Sequence, residues 1–113
     1  MVIHGDGRQT RDFVYAGDVA RANAAAVESE VVGVLNVGTG VETSILELAR
    51  LAAEAVGVEP RVVFAPPRPG DVRRSFADAS RAERELGWRP EVQLREGLRI
   101  TAGWLRSEYD LQA

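Results

Sequence analysis

The stretch from Gly5 to Ala20 constrains this chain more than any other. It reads Gly-Asp-Gly-Arg-Gln-Thr-Arg-Asp-Phe-Val-Tyr-Ala-Gly-Asp-Val-Ala. Gly5-Asp6-Gly7 predicts a tight turn, because glycine enters left-handed backbone without steric cost. The turn delivers the chain into a polar loop that ends at Arg11-Asp12. The apolar run Phe13-Val14-Tyr15 follows, and Asp18 is placed to cap a helix beginning at Val19. An arginine at the lip of a short strand, with turns on both sides, offers a rigid guanidinium to an anion. A second arginine-bearing loop, Pro67-Arg68-Pro69-Gly70-Asp71, lies far down the chain. The expectation is that the two loops meet on one ligand.

The apolar pattern alternates between short runs and helical periods. Val2-Ile3 predicts a strand ending near His4, and Phe13–Tyr15 a second extended piece. An alanine-rich helix follows to about Ser29, and Gly33 ends it. Val34-Leu35-Asn36-Val37 predicts a buried strand. Ser44 and Glu47 have capping-box spacing for a helix over 44–56, with Gly57 as its stop. Arg61–Phe64 reads as another strand, and the prolines at 66, 67 and 69 then forbid regular structure. Ser80 and Glu83 repeat the capping-box spacing, with Asp78 as a rival cap and Gly87 as the stop. The last helix spans about 94 to 108. The order β, β, α, β, α, β, α, α argues for the α/β class with some parallel pairing, in a single domain over 1–113.

Net charge is −3, and no basic stripe is visible. A nucleic-acid partner is therefore not expected. Cysteine is absent, so there is neither a disulfide framework nor a thiolate metal site. The single histidine, His4, cannot form a two-histidine metal site. No apolar run approaches the length of a membrane span, and the chain reads as cytoplasmic. All 14 basic residues are arginine. Without lysine the chain holds no Schiff-base lysine, no P-loop lysine and no Tyr-x-x-x-Lys pair.

Each candidate residue has a plain alternative. Gly38-Thr39-Gly40 sits between a predicted strand and a helix, where dinucleotide folds keep a pyrophosphate loop. Position 43 is threonine where the third glycine belongs, so this reads as a turn. Arg11 is either an anion-binding arginine or half of a local ion pair with Asp12. Arg68 and Asp71 suit a nucleoside diphosphate: the guanidinium forks onto phosphate oxygens and the carboxylate accepts from ribose hydroxyls. They equally suit an ordinary surface loop with one charge pair. Arg73-Arg74 reads as a solvated face, Trp88 and Trp104 as core anchors, and His4 as structural. Asp18 and Asp78 read as caps.

Four ordered segments carry a family resemblance. They are His4-Gly5-Asp6-Gly7-x-Gln9-Thr10-Arg11-Asp12-Phe13-Val14-Tyr15 with Asp18-Val19-Ala20; Asn36-Val37-Gly38-Thr39-Gly40 with Thr43-Ser44; Pro69-Gly70-Asp71 with Ala77-Asp78 and Ser80; and Leu86-Gly87-Trp88-x-Pro90 ahead of Gly97-Leu98. Together they resemble the NAD-dependent nucleotide-sugar epimerases and dehydratases, the extended short-chain dehydrogenases. The resemblance implies the carboxy-terminal fragment of an extended Rossmann-type fold: the last sheet strands and the small substrate-binding domain. The amino-terminal NAD-binding half would precede Met1. It implies that Arg11 and Arg68 contact a UDP pyrophosphate and Asp71 the ribose, with Ile3 and His4 near the uracil. On that reading NAD belongs to the complete enzyme, and none is expected on this chain alone. The function implied is the UDP-sugar-binding part of a 4-epimerase, not catalytic by itself. Part of a 4,6-dehydratase or decarboxylase, or a non-catalytic UDP-binding module, is the alternative. A face bared by the missing half would favour a homo-oligomer.

Overall fold

The computed structural model of the chain describes residues 1–109. The elements are β1 (Val2–His4), β2 (Thr10–Arg11), α1 (Ala16–Glu28), β3 (Thr43–Ser44), α2 (Ile45–Val56), β4 (Val63–Ala65), α3 (Ser80–Leu86) and α4 (Leu94–Glu108). The β, β, α, β, α, β, α, α order matches the expected one, but its third strand is Thr43–Ser44 in place of the predicted 34–37. β1 and β4 pair in parallel, with Ile3 opposite Phe64. β2 and β3 pair antiparallel, with Thr10 opposite Ser44 and Arg11 opposite Thr43.

The helices begin and end for local reasons. Ser44 caps α2 as its spacing predicts, its hydroxyl accepting from the Glu47 amide at 3.1 Å. Gly57 and Gly87 close α2 and α3 in left-handed conformation, φ 76° and 66°. At α3 the N-cap residue is Ala79, neither of the two candidates. The Asp78 carboxylate accepts from the Ser80 amide at 3.0 Å, while the Glu83 side chain turns to Arg89.

Three predicted elements differ in the structure. The second strand is Thr10–Arg11, not Phe13–Tyr15, because residues 10 and 11 are the ones that meet β3. Helix α1 starts at Ala16, since the Tyr15 carbonyl already accepts from the Asp18 and Val19 amides. Asp18 is therefore not the cap. The run 34–37 has a strand's alternation but no strand beside it among the described residues. Leu35 and Val37 pack against a core of Ala22, Ala82 and Trp88, while Val34 is 84% exposed.

Trp88 is a core anchor, as expected, and its indole N–H donates to the Asp18 carbonyl at 2.8 Å. Trp104 is not an anchor. It lies half out of the surface, edge-on to Tyr109 with ring centroids 6.3 Å apart. Helix α4 buries Gly97 and Ala102. A residue two positions past Ala102 points to roughly the opposite side of a 3.6-residue helix.

Asp18 holds α1 to the chain entering α4. It is 2% exposed. Its carboxylate accepts from the amides of Glu91 and Val92 at 3.2 and 3.1 Å and from the Arg21 guanidinium at 2.8 Å. Burial pushes its pKa up, but the Arg21 guanidinium and the two amides outweigh burial and hold it below the ordinary 3.8. A depressed carboxyl contributes stability above its unfolded pKa and loses it as pH falls through the folded value. Asp18→Asn should therefore cost about 2 kcal/mol at pH 7. The gap from the parent should close as pH drops below 3.8, as denaturant melts at several pH values would show. The reverse effect is expected at Gly103, an α4 residue whose added Cβ would meet nothing within 4 Å. Gly103→Ala should raise stability by about 1 kcal/mol in the same melts.

Candidate functional site

The loop from Gly5 to Arg11 is shaped by the start of α2. The Gly7 carbonyl accepts from the Leu46 amide and the Gln9 carbonyl from the Ile45 amide, both at 3.0 Å. With Ser44 on the Glu47 amide, the leading amides of α2 are occupied by protein. That helix start is thereby closed to an anion. Gly7 is left-handed, φ 77°, and a Cβ there would press on Leu46 at 3.2 Å. Glycine is required for this close approach.

Asp12 serves as the clasp of the site. Its carboxylate accepts from the Thr39 amide (3.0 Å), the Thr39 hydroxyl (2.5 Å), the Gly40 amide (2.8 Å) and the Ala77 amide (3.1 Å). Burial raises its pKa. The Thr39 hydroxyl and the amides of Ala77, Thr39 and Gly40 more than reverse that, and the carboxyl sits below 3.8. This accounts for Gly38-Thr39-Gly40. The turn holds an internal carboxylate, and a Cβ on Gly38 would fall 2.6 Å from the Ala77 Cβ and 2.8 Å from Asp12 Oδ2. The local Arg11–Asp12 pair that the sequence allowed does not form.

Arg11 instead reaches 60 residues along the chain. Its guanidinium donates to Asp71 Oδ1 at 2.6 Å and to the carbonyls of Thr10 and Val72, each at 2.6 Å. Asp71 ends the turn that begins at Arg68, its amide donating to the Arg68 carbonyl at 3.2 Å, and Gly70 in that turn is left-handed. Arg73 and Arg74 are solvated, but each also forks onto one carboxylate. Arg73 meets Asp6 at 2.8 and 3.0 Å. Arg74 meets Glu42 at 2.8 and 2.7 Å and lies over the Phe76 ring. The Arg73 guanidinium and the Arg8 amide lower Asp6 to about 2. The Arg74 guanidinium and the Thr10 hydroxyl lower Glu42 to about 2.

These links hold a cleft of about 390 Å³ between β1 and the proline loop, lined by His4, Gln9, Pro67, Arg68 and Asp71 among others. Three of the expected site residues, His4, Arg68 and Asp71, therefore share one cavity. Arg11 touches Asp71 but lines a separate cavity with Phe76 and Asp78. The side chain of Ile3 is 3% exposed and packs under the loop, near Gly7. His4 Nδ1 lies 3.4 Å from the Pro66 carbonyl. Arg68 is exposed, and its guanidinium has no ion-pair or hydrogen-bond partner among the described residues. A larger cavity of about 550 Å³, between α2, the Gly38–Gly40 turn and the entry to α4, holds none of the expected residues.

Gln9 escaped notice in the sequence. It is 7% exposed, donates to the His4 carbonyl at 2.8 Å and approaches Asp71 Oδ2 at 3.5 Å. Its position after a double-glycine turn marks a loop but not a buried bridge. Asp12 was read only as the neighbour of Arg11.

An α/β unit whose arginine-rich loops frame a cleft beside a parallel strand pair suits the recognition of a phosphorylated ligand. Comparison with known proteins narrows the class. The profile of the GDP-mannose 4,6 dehydratase family matches residues 1–101. A Methanocaldococcus jannaschii protein described as a putative UDP-glucose 4-epimerase is 44% identical over 108 residues, covering 94% of this chain and 34% of that protein. The crystal structure of the Thermotoga maritima UDP-glucose 4-epimerase with UDP-glucose superposes with a TM-score of 0.91 at 43% identity, over 96% of this chain and 35% of that one. The UDP-glucuronic acid 4-epimerase of Bacillus cereus, solved with UDP-glucuronic acid and NAD, gives 0.86 at 33% identity, again over 96% and 35%. The chain belongs to the extended short-chain dehydrogenase/reductase family of nucleotide-sugar epimerases and dehydratases. It spans about a third of the length of these relatives and corresponds to their carboxy-terminal part. No helix among the described residues is long and apolar enough to cross a membrane.

The clasp can be tested without a ligand. Gly38→Ala should destabilise the chain by about 2 kcal/mol or more, because neither the Ala77 Cβ nor the held carboxylate can give way cheaply. Thermal melts that show Gly38→Ala to be neutral would mean that the Asp12 clasp is loose.

Proposed function

We propose that the cleft of His4, Arg68 and Asp71 grips the nucleoside diphosphate of a UDP-sugar. In this reading the chain is the substrate-binding part of an NAD-dependent UDP-sugar 4-epimerase. One observation carries it: an unpaired arginine, Arg68, stands in the same cleft as a carboxylate already oriented by a second arginine. Arg68 is free to fork onto phosphate oxygens without first breaking a bond. Asp71, with Arg11 on Oδ1 and only a long 3.5 Å contact from Gln9 on Oδ2, keeps acceptor capacity on Oδ2 for ribose hydroxyls. Arg11, whose guanidinium is committed to Asp71 and to the carbonyls of Thr10 and Val72, lends positive charge from behind the cleft and not from its lining. His4 and the backbone beside Ile3 form the end of the cleft nearest the base. Binding at these atoms lies away from the reacting sugar carbon, so its energy serves to orient that carbon.

The relatives support this reading with their own ligands. Their solved complexes hold UDP-glucose, or UDP-glucuronic acid with NAD. The complete enzyme would use NAD to oxidise and re-reduce the sugar at C4. This chain has no lysine, so a Tyr-x-x-x-Lys pair and the hydride chemistry belong to sequence outside it. The family profile is described by a 4,6-dehydratase, and a dehydratase would use the same diphosphate grip. That reading differs in the base and in the chemistry, not in Arg68 or Asp71.

Isothermal titration with UDP, UDP-glucose and NAD tests the proposal. UDP and UDP-glucose should bind, and NAD should give no heat. Arg68→Ala should weaken UDP at least tenfold, and Arg68→Lys should restore part of the loss. Equal UDP affinity in the parent and Arg68→Ala would overturn the assignment of this cleft.

A further inference from the structure

Gln9 is a buried amide whose hydrogen-bonding capacity is mostly unused. It is 7% exposed, and it lines the cleft of about 390 Å³ together with His4, Arg68 and Asp71. A glutamine side chain offers two N–H donors and a carbonyl oxygen with two acceptor sites. One donor is well placed, since Nε2 meets the His4 carbonyl at 2.8 Å. The other is not, since Asp71 Oδ2 lies 3.5 Å from Nε2, at the outer limit of a hydrogen bond. Oε1 is buried and has no partner, and among the described residues it is the only buried side-chain nitrogen or oxygen in that state.

The amide cannot remedy this by turning over. A flip would set Oε1 against the His4 carbonyl and the Asp71 carboxylate, which are both acceptors. It would also leave the N–H groups without an acceptor where Oε1 now lies. The orientation is therefore fixed, and a buried oxygen without a donor is unfavourable. Other buried polar groups here are well met. The Asp12 carboxylate takes donors from Thr39, Gly40 and Ala77, and Asp18 from Arg21, Glu91 and Val92. An under-bonded amide in a cleft wall thus calls for a reason. The reason lies on its Nε2 side. Nε2 and Asp71 Oδ2 are a donor and an acceptor too far apart to bond each other strongly, and both line the same cavity. Arg11 already holds Oδ1, which leaves Oδ2 as the oxygen turned to Gln9.

We propose that Gln9 is a specificity-determining residue of this cleft: its Nε2 donates to a ribose hydroxyl that in turn donates to Asp71 Oδ2, so that the pair reads a sugar hydroxyl of the nucleotide. The inference rests on the nucleotide reading of the cleft and deepens it. A group seated at the pair must accept from Nε2 and donate to Oδ2 at once. Phosphate oxygens and base carbonyls only accept, and a base N–H only donates, whereas a hydroxyl does both. An analogue without that hydroxyl leaves a buried amide and a carboxylate oxygen facing each other unbridged, which is how a polar site rejects a ligand that lacks one group.

Calorimetric titration with UDP, 2′-deoxy-UDP and 3′-deoxy-UDP tests it. The parent should bind one of the two deoxy analogues about tenfold or more weaker than UDP. Gln9→Met fills similar space without the amide, and in it the gap between UDP and that analogue should shrink by about threefold or more. A second measurement needs no variant and stands even if Gln9→Met does not fold. In proton–nitrogen spectra of the isotope-labelled parent, a Gln9 side-chain amide proton should move on saturation with UDP and hold its place with the weaker analogue. Equal affinity for all three nucleotides overturns the proposal. So does an unchanged gap in a folded Gln9→Met, and so do Gln9 amide signals that ignore UDP. A parent that binds UDP through Arg68 without distinguishing the analogues loses this inference alone. A parent that binds no UDP loses the nucleotide reading and this inference with it.

Discussion

The carboxylate of Asp12 gathers donors from two segments, one 27 to 28 residues and the other 65 residues further along the chain. Asp12 does not line the cleft; it orders the segments that flank it. It fixes the Gly38–Gly40 turn on one side and the end of the proline loop on the other. It also fixes its own neighbour, Arg11, which cannot swing back to a local carboxylate because that carboxylate is filled. Arg11 must then find its anion across the loop, and Asp71 is the one it meets. A depressed pKa is the natural result, since four donors favour the ionised form more than burial disfavours it.

The proline loop is held largely by charge. Arg11 reaches into it to the Val72 carbonyl and the Asp71 carboxylate, and Arg73 and Arg74 reach out from its end to Asp6 and Glu42. The Thr10 amide adds a backbone bond to the Arg73 carbonyl. Exposed ion pairs contribute little free energy and are screened by salt. Their geometry matters more here, because arginine forks onto a carboxylate in a fixed plane. The loop already carries rigid prolines, so little further ordering is needed to present Arg68 in one place.

How much of this the sequence shows depends on the range of the interaction. Ser44, Gly57 and Gly87 act within a few residues, and their roles are legible from spacing. The helices are legible for the same reason. The strand at Thr43–Ser44 is not, and 34–37 reads as one instead, because strand pairing is a long-range contact. Asp18 was misread because an aspartate before a helical run is usually a cap, and the amides it holds lie 73 and 74 residues away. Arg73 and Arg74 looked like a solvated face because their carboxylates are 67 and 32 residues distant. Trp104 has an anchor's residue type, but two positions past Ala102 it lies on the far side of α4 from the buried residues. The grouping of His4, Arg68 and Asp71 was anticipated through family resemblance, since nothing in local spacing says that residue 4 meets residue 68.

The cleft and the uncovered surface answer to different parts of the chain. Arg11, Arg68, Asp71 and the clasp at Asp12 are all held by residues numbered between 4 and 78, through bonds complete within the chain. The uncovered valines at 32 and 34 belong to the connection behind α1, and that run is tied to α1 and α3 instead. The loop that carries Arg68 is therefore set by ties internal to the chain, whatever covers the run 34–37.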